Sequence, residues 1–266
     1  MIENISAKIA NALHPAQNGN KGFRYIDTQL NQTIDYTTKN RTSSEVYSGE
    51  YQQDAFNTLE QIIAICHQND VDLMIVNTPC PAFDILIDHA NYFQSYSMLQ
   101  SFFSSHNTPY YDFSLAKPEL FKNEAHYYYD FEHMNKAGCE AFSKSFGRFL
   151  VMRKNSADVS SLFYTPEEYL ESVDYIALVD FDAMTSADHL DIQARALIGT
   201  DTTIEYEFLL IDSSASTQCV LQSYSTSSTL SIPLPASGEY MLRVNARQAG
   251  NTSAYEQYCV QPLHVL

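Results

Sequence analysis

With 266 residues the chain has room for one large domain or two ordinary ones, and a hydrophobic fraction of 45% is enough for packed cores. A formal net charge of −17 excludes a nucleic-acid partner, which needs a basic surface, and disfavours anionic membranes. Five cysteines are too few for a disulfide scaffold of this size, and no stretch is apolar for long enough to span a bilayer.

Residues 1–13 read as a short amphipathic helix through Ile2, Ile5, Ile9 and Leu13, stopped by Pro15 and the Asn-rich run 18–20. They have no apolar core of the kind a signal peptide needs. Residues 22–51 are polar and weakly patterned, with a short strand at 23–26. Residues 52–69 read as a helix, with Ala55, Phe56, Leu59, Ile62, Ile63 and Cys66 at helical spacing. Residues 72–77 are short, apolar and closed by Thr78-Pro79, as a buried parallel strand should be. A helical region at 81–105 and a second strand at 109–113 follow. This rhythm implies a parallel sheet flanked by helices.

The stretch 127–135 reads Tyr-Tyr-Tyr-Asp-Phe-Glu-His-Met-Asn, and Asn135 is placed to cap a helix over 136–151. An acid three residues before a histidine can hold one imidazole nitrogen and leave the other as a base. The same spacing also occurs in polar loops where the acid only satisfies backbone groups. The aromatic run could line a sugar-binding lip, and a chain with 19 Tyr suits contact with sugars. Glu124, His126, Asp130 and His133 match no metal-ligand spacing, so neither a metal nor another cofactor is expected. Cys80, between Pro79 and Pro81, and Ser114, after the second strand, are the other nucleophile-type residues; both read as structural.

Residues 155–172 read as a polar linker, with a helical turn opened by Thr165-Pro166. Strand-like segments follow at 173–181, 203–211, 219–224, 229–234, 239–247 and 255–265, with Ser237-Gly238 as a turn. Residues 173–266 are therefore expected to form a β-sandwich. Tyr206, Tyr240 and Tyr255 are the aromatics a ligand-binding face would use, the first two also fitting the core. Cys219 and Cys259 are expected on facing or adjacent strands, either bridged or as lone buried thiols.

Tyr128, Asp130, His133, Asn135 and Gly138 spell Tyr-x-Asp-x-x-His-x-Asn-x-x-Gly. This resembles the last block of SGNH-type esterases and acyltransferases. It is most similar to a bacterial branch with the D-alanine-transfer protein of teichoic acid modification and the acetyltransferase-like proteins of exopolysaccharide systems. The likeness runs back to about residue 22, roughly half the chain. It implies a partial flavodoxin-like α/β sheet over 1–154, His133 as base with Asp130 orienting it, and Tyr128, Tyr129 and Asn135 near the substrate. It also implies a cell-envelope location and a polysaccharide or acylated glycan as partner. Such enzymes carry their serine in a Gly-Asp-Ser type turn, and use a Gly and an Asn from two later blocks as oxyanion donors; none of these blocks is found in this sequence. The expectation is the base-bearing C-terminal part of such a domain, inactive alone, with the other sheet half upstream or on a partner, or the domain a degenerate relic. The phrase at 235–240 resembles the hairpin of bacterial immunoglobulin-like modules. The competing expectation is a glycan- or protein-binding module with the α/β half as scaffold.

Overall fold

The computed structural model describes residues 26–29, 49–130, 133–155, 158–212, 214–215 and 217–265. The helix expected at 1–13 and most of the segment 22–51 lie outside the described residues. The N-terminal region is mixed α/β with a small parallel sheet, and antiparallel sheets follow it in an all-β region.

In the α/β region, α1 (Gly49–Gln68) leads to β1 (Ile75–Asn77). Then α2 (Ala82–Ile87) and α3 (His89–Ser105) cross to β2 (Tyr110–Asp112). β1 and β2 pair in parallel, with Ile75 opposite Tyr110 and Asn77 opposite Asp112. Both strands are shorter than the apolar runs that announce them. The last helix, α4 (Lys136–Lys154), buries Phe149, whose ring meets Tyr111, Phe113 and Phe163 edge-on at 4.8–6.0 Å. α1 is only partly covered: Ile63 is buried and Phe56 packs on Phe102 at 4.5 Å, while Ile62 and Ile65 are exposed.

Residues 160–172 are packed against the α/β region. The 3-10 turn Ser160–Leu162 precedes a bridge from Phe163 to Ala116, and the Tyr164 N–H bonds the Leu115 carbonyl. α5 (Pro166–Ser172) opens with a reciprocal capping box. The Thr165 hydroxyl accepts the Glu168 N–H, and the Glu168 carboxylate accepts the Thr165 N–H.

Described residues from 178 onward form seven strands. β3 (Leu178–Thr185), β4 (His189–Leu197) and β7 (Thr229–Pro233) make one sheet, in the order β3-β4-β7. β5 (Ile204–Asp212), β6 (Thr217–Ser225), β8 (Gly238–Gln248) and β9 (Gln257–Val265) make the other, in the order β6-β5-β8-β9. Val179, Phe181, Leu190 and Ile192 of the first sheet share one core with Tyr206, Phe208, Leu242 and Val244 of the second. Alternation of the kind expected holds on β5 and β8. β4 is a strand that the sequence reading did not anticipate. Its inward Leu190, Ile192 and Ala194 alternate with His189, Asp191, Gln193 and Arg195. Asp and Ala are poor strand formers, which conceals the period.

β3 departs from simple alternation. Residues 176–181 are all buried. Val179 and Phe181 face the core between the sheets; Ala177 and Leu178 join a second core with Phe83, Ile85 and Leu86 of α2, Leu115, and Tyr169 and Val173 at α5. The α/β region therefore covers the outer face of β3 at its start. Two backbone bonds close the seam: Ala177 N–H to the Leu197 carbonyl and Gly199 N–H to the Val173 carbonyl. Gly199 is obligatory there, because a Cβ would sit 2.2 Å from the Leu170 carbonyl oxygen.

The expected proximity of Cys219 and Cys259 is overturned. They lie on β6 and β9, opposite edges of one sheet with two strands between them. Three strand spacings separate them by about 14 Å, far beyond bridging distance. All five cysteines are free thiols. Cys259 is buried, and burial, with Asp180 adding a like charge, pushes its thiol up to about 12. Thiol titration of the native protein should therefore label exposed Cys219 early and Cys259 only on unfolding, and a reductant should leave Tm unchanged.

At the start of β8 the Tyr240 hydroxyl donates to the Ala236 carbonyl at 3.0 Å, tying the turn to the strand. Tyr240→Phe keeps the ring and removes this bond. It should cost about 1 kcal/mol in urea unfolding.

Candidate functional site

The Asp130–His133 loop stands on a buried polar chain. Tyr128 is 0% exposed, and its hydroxyl donates to Asn123 Oδ1 at 2.6 Å. Asn123 Nδ2 donates to the Cys80 carbonyl at 2.7 Å, and the Cys80 N–H donates to Ser114 Oγ at 3.1 Å. The Ser114 N–H bonds Asp112 Oδ1 at 2.9 Å, and the Tyr92 hydroxyl donates to Asp112 Oδ2 at 2.7 Å. This chain crosses the ends of both parallel strands, since Asp112 ends β2 and Cys80 follows β1 by three residues. In open parallel sheets that end is where ligands bind. Burial raises the Asp112 carboxyl above the ordinary range, against the lowering effect of bonds from Tyr92, Asn77 and Ser114. The folded state thus holds that proton more tightly than the unfolded one. The resulting stability is fully present below the usual carboxylate pKa and is lost as pH rises through the folded value.

The loop is pinned at both ends. The Tyr129 N–H bonds the His133 carbonyl at 3.1 Å, and Tyr128 bridges Met134. Asn135 is the anchor, at 2% exposure. Its Oδ1 accepts the Gly138 N–H at 3.0 Å as the expected N-cap of α4, and its Nδ2 donates to the His126 carbonyl at 2.7 Å. The Lys136 N–H bonds the Ile26 carbonyl, joining the described N-terminal residues to this corner.

Asp130 and His133 come together. Nδ1 lies 3.0 and 2.9 Å from the two carboxylate oxygens, and the His133 N–H bonds Oδ1 at 2.7 Å. The carboxylate thus satisfies a backbone group and orients the ring at once, so both meanings of the spacing hold together. The His133 side chain is 62% exposed and stacks on Tyr129 at 5.7 Å. With Nδ1 engaged, Nε2 is the position left to take a proton.

The three residues expected at the substrate lip divide. Tyr128 and Asn135 are buried, and their polar atoms hold the loop and the helix start. Tyr129 is half-buried beside the imidazole. Glu124 pairs with Lys122 at 2.5 Å and His126 at 3.5 Å, apart from the Asp130–His133 pair. Among the described residues no group of three or more His, Cys, Asp or Glu is placed to hold a metal. Cys80 Sγ sits 3.4 Å from Ser114 Oγ, and a six-residue helix begins two residues later. Asn123, Tyr92 and Tyr169 went unnoticed in the sequence, since nothing in an irregular loop or a helix face announces a polar chain closed over 20–43 residues.

A concave space of about 390 Å³ opens beside this chain, lined by Ser114, Asn123, Tyr164, Tyr169 and Tyr175 among others. Asp130 and His133 do not line it. No protein-family model and no curated protein matches the sequence. Among the described residues no helix is long and apolar enough to cross a membrane.

Gly138 sits against the loop: a Cβ would fall 2.3 Å from the Tyr127 carbonyl oxygen. Gly138→Ala should cost about 1–3 kcal/mol in urea unfolding by forcing α4 off the loop. Gly147→Ala on the same helix, where a Cβ meets nothing within 4 Å, should cost nothing.

Proposed function

We propose that the α/β region is the base-bearing part of an SGNH-like esterase or O-acyltransferase acting on a cell-surface polysaccharide. His133 is the general base and Asp130 orients it. The observation that carries this reading is the two-oxygen grip of Asp130 on Nδ1, which leaves the other nitrogen outward on an exposed ring. Support comes from the parallel β1–β2 pair, the polar chain across its C-terminal end, and the Asn135 cap with Gly138 against Tyr127. A cell-envelope setting follows from the same resemblance.

In such a reaction the base takes the proton of a serine hydroxyl as it attacks the acyl carbonyl, and returns it to the departing alcohol. The Gly-Asp-Ser type turn has no counterpart in this sequence. The reading therefore assigns to this chain the base and its orienting acid, with the nucleophile and oxyanion donors on a partnering sheet half. Cys80 and Ser114 are mutual partners in the buried chain and serve as structure.

We read the all-β region as an immunoglobulin-like sandwich. Three strands lie against four in the orders 1-2-5 and 4-3-6-7. The sixth strand opens with a tyrosine bonded back to the turn, the corner that recurs in this fold. One observation bears on a glycan-binding module instead: Tyr224, Tyr255 and Tyr258 share the outer face of β6, β8 and β9 with arginines. Arg243 lies over Tyr255 and Tyr258 at 4.8 and 4.1 Å, and Arg247 over Tyr224 at 3.8 Å. Those rings are already covered by guanidinium groups, which weakens that alternative.

The assay is turnover of a small aryl acetate. The chain alone and its His133→Ala variant should both run at solvent background, because without oxyanion donors even residual catalysis is lost. Supplying a serine-bearing sheet half, fused or in trans, should restore turnover that depends on His133 and falls with Asp130→Asn. A His133-dependent rate from the chain alone would instead point to Cys80 or Ser114 as nucleophile and sink the divided-site reading.

A further inference from the structure

The concave space beside the polar chain lies where the α/β region, α5 and the residues leading into β3 meet. At about 390 Å³ it is in the size range of small-ligand sites. Its deep residues are already committed. The Ser114 hydroxyl serves Cys80, and both ends of the Asn123 amide are bonded, so this wall is rigid.

The hydroxyls of its tyrosines are not committed, although the Tyr164 ring already carries the Lys117 ammonium at 5.3 Å. Tyr169 is 5% exposed, with its ring packed on Phe93 and Tyr164, yet its hydroxyl bonds no described residue. The hydroxyls of Tyr164 and Tyr175 likewise bond no described residue, and Tyr175 is 49% exposed. A phenol oxygen that reaches the space without a protein partner is open to bond a ligand or water. Three phenols around one concavity can both donate and accept, and they sit beside flat ring surface. The one cation lining the space, Lys122, is engaged by Glu124. In a chain of net charge −17 this leaves nothing to attract an anionic ligand.

We propose that this cavity binds a neutral sugar ring, whose C–H face lies on the exposed Tyr175 ring and whose hydroxyls take up the three phenols. It is a glycan-holding subsite apart from the Asp130–His133 pair. The choice of a glycan rests on the polysaccharide reading above; the cavity and its unengaged phenols do not.

The test is calorimetric titration of the full chain with cellohexaose, maltohexaose and chitohexaose as neutral probes and hexagalacturonate as the acidic one. At least one neutral probe should bind saturably at millimolar concentration, and the acidic probe should not. Tyr175→Ala removes an exposed ring, and Ala125→Trp plugs the space from an exposed position. Each should weaken binding by about tenfold, the loss of one good contact, with Tm preserved. His133→Ala should bind as the parent does. Absence of binding by every neutral probe, preference for the acidic one, or parental affinity in both cavity variants overturns the proposal. Binding without turnover, once the serine-bearing half is supplied, would remove the hydrolytic reading and leave the subsite. Turnover with binding unaltered by the cavity variants would do the reverse.

Discussion

A carboxyl group at the end of a two-stranded sheet is the constraint on which the site depends. Asp112 is buried, and a buried acid is tolerated only when its oxygens are satisfied. Tyr92 from α3 and the Ser114 N–H do this. Ser114 then takes the Cys80 N–H, Asn123 takes the Cys80 carbonyl, and Tyr128 caps Asn123. Each member is positioned by the one before it. The chain links α3, both strand ends and the long connection to α4. Such a network is worth having only when complete, since a missing member strands its neighbours in low dielectric. The Asp130–His133 pair is a pendant of this chain through Tyr128.

Much of this was legible in advance, and the reasons are local. The strand at 75–77 was announced by an apolar run ended by Thr78-Pro79, and α4 by Asn135 and its apolar stripe. Asp130 with His133 was legible because three residues of spacing close a loop onto a histidine ring whatever surrounds it. On β5 and β8 a strict period of two marked one inward face.

What stayed hidden depends on contacts far apart in sequence. Tyr128 and Asn135 have the composition of a substrate lip, and only the fold shows them facing inward to Asn123 and His126. β4 escaped because Asp191 and Ala194 dilute its period. Cys219 and Cys259 looked like neighbours, and strand order sends them to opposite edges. The tyrosine cavity needs residues from 114 to 175 to converge, and no window along the chain contains them together.

Leu178 belongs to the α/β region's core while Val179, the next residue of the same strand, belongs to the other. Neither region owns that strand. Cutting the chain near residue 173 to free the seven strands would expose a row of leucine and alanine on one piece and bare Phe83, Ile85 and Leu86 on the other. The stability of each region is thus coupled to that of the other through this shared core.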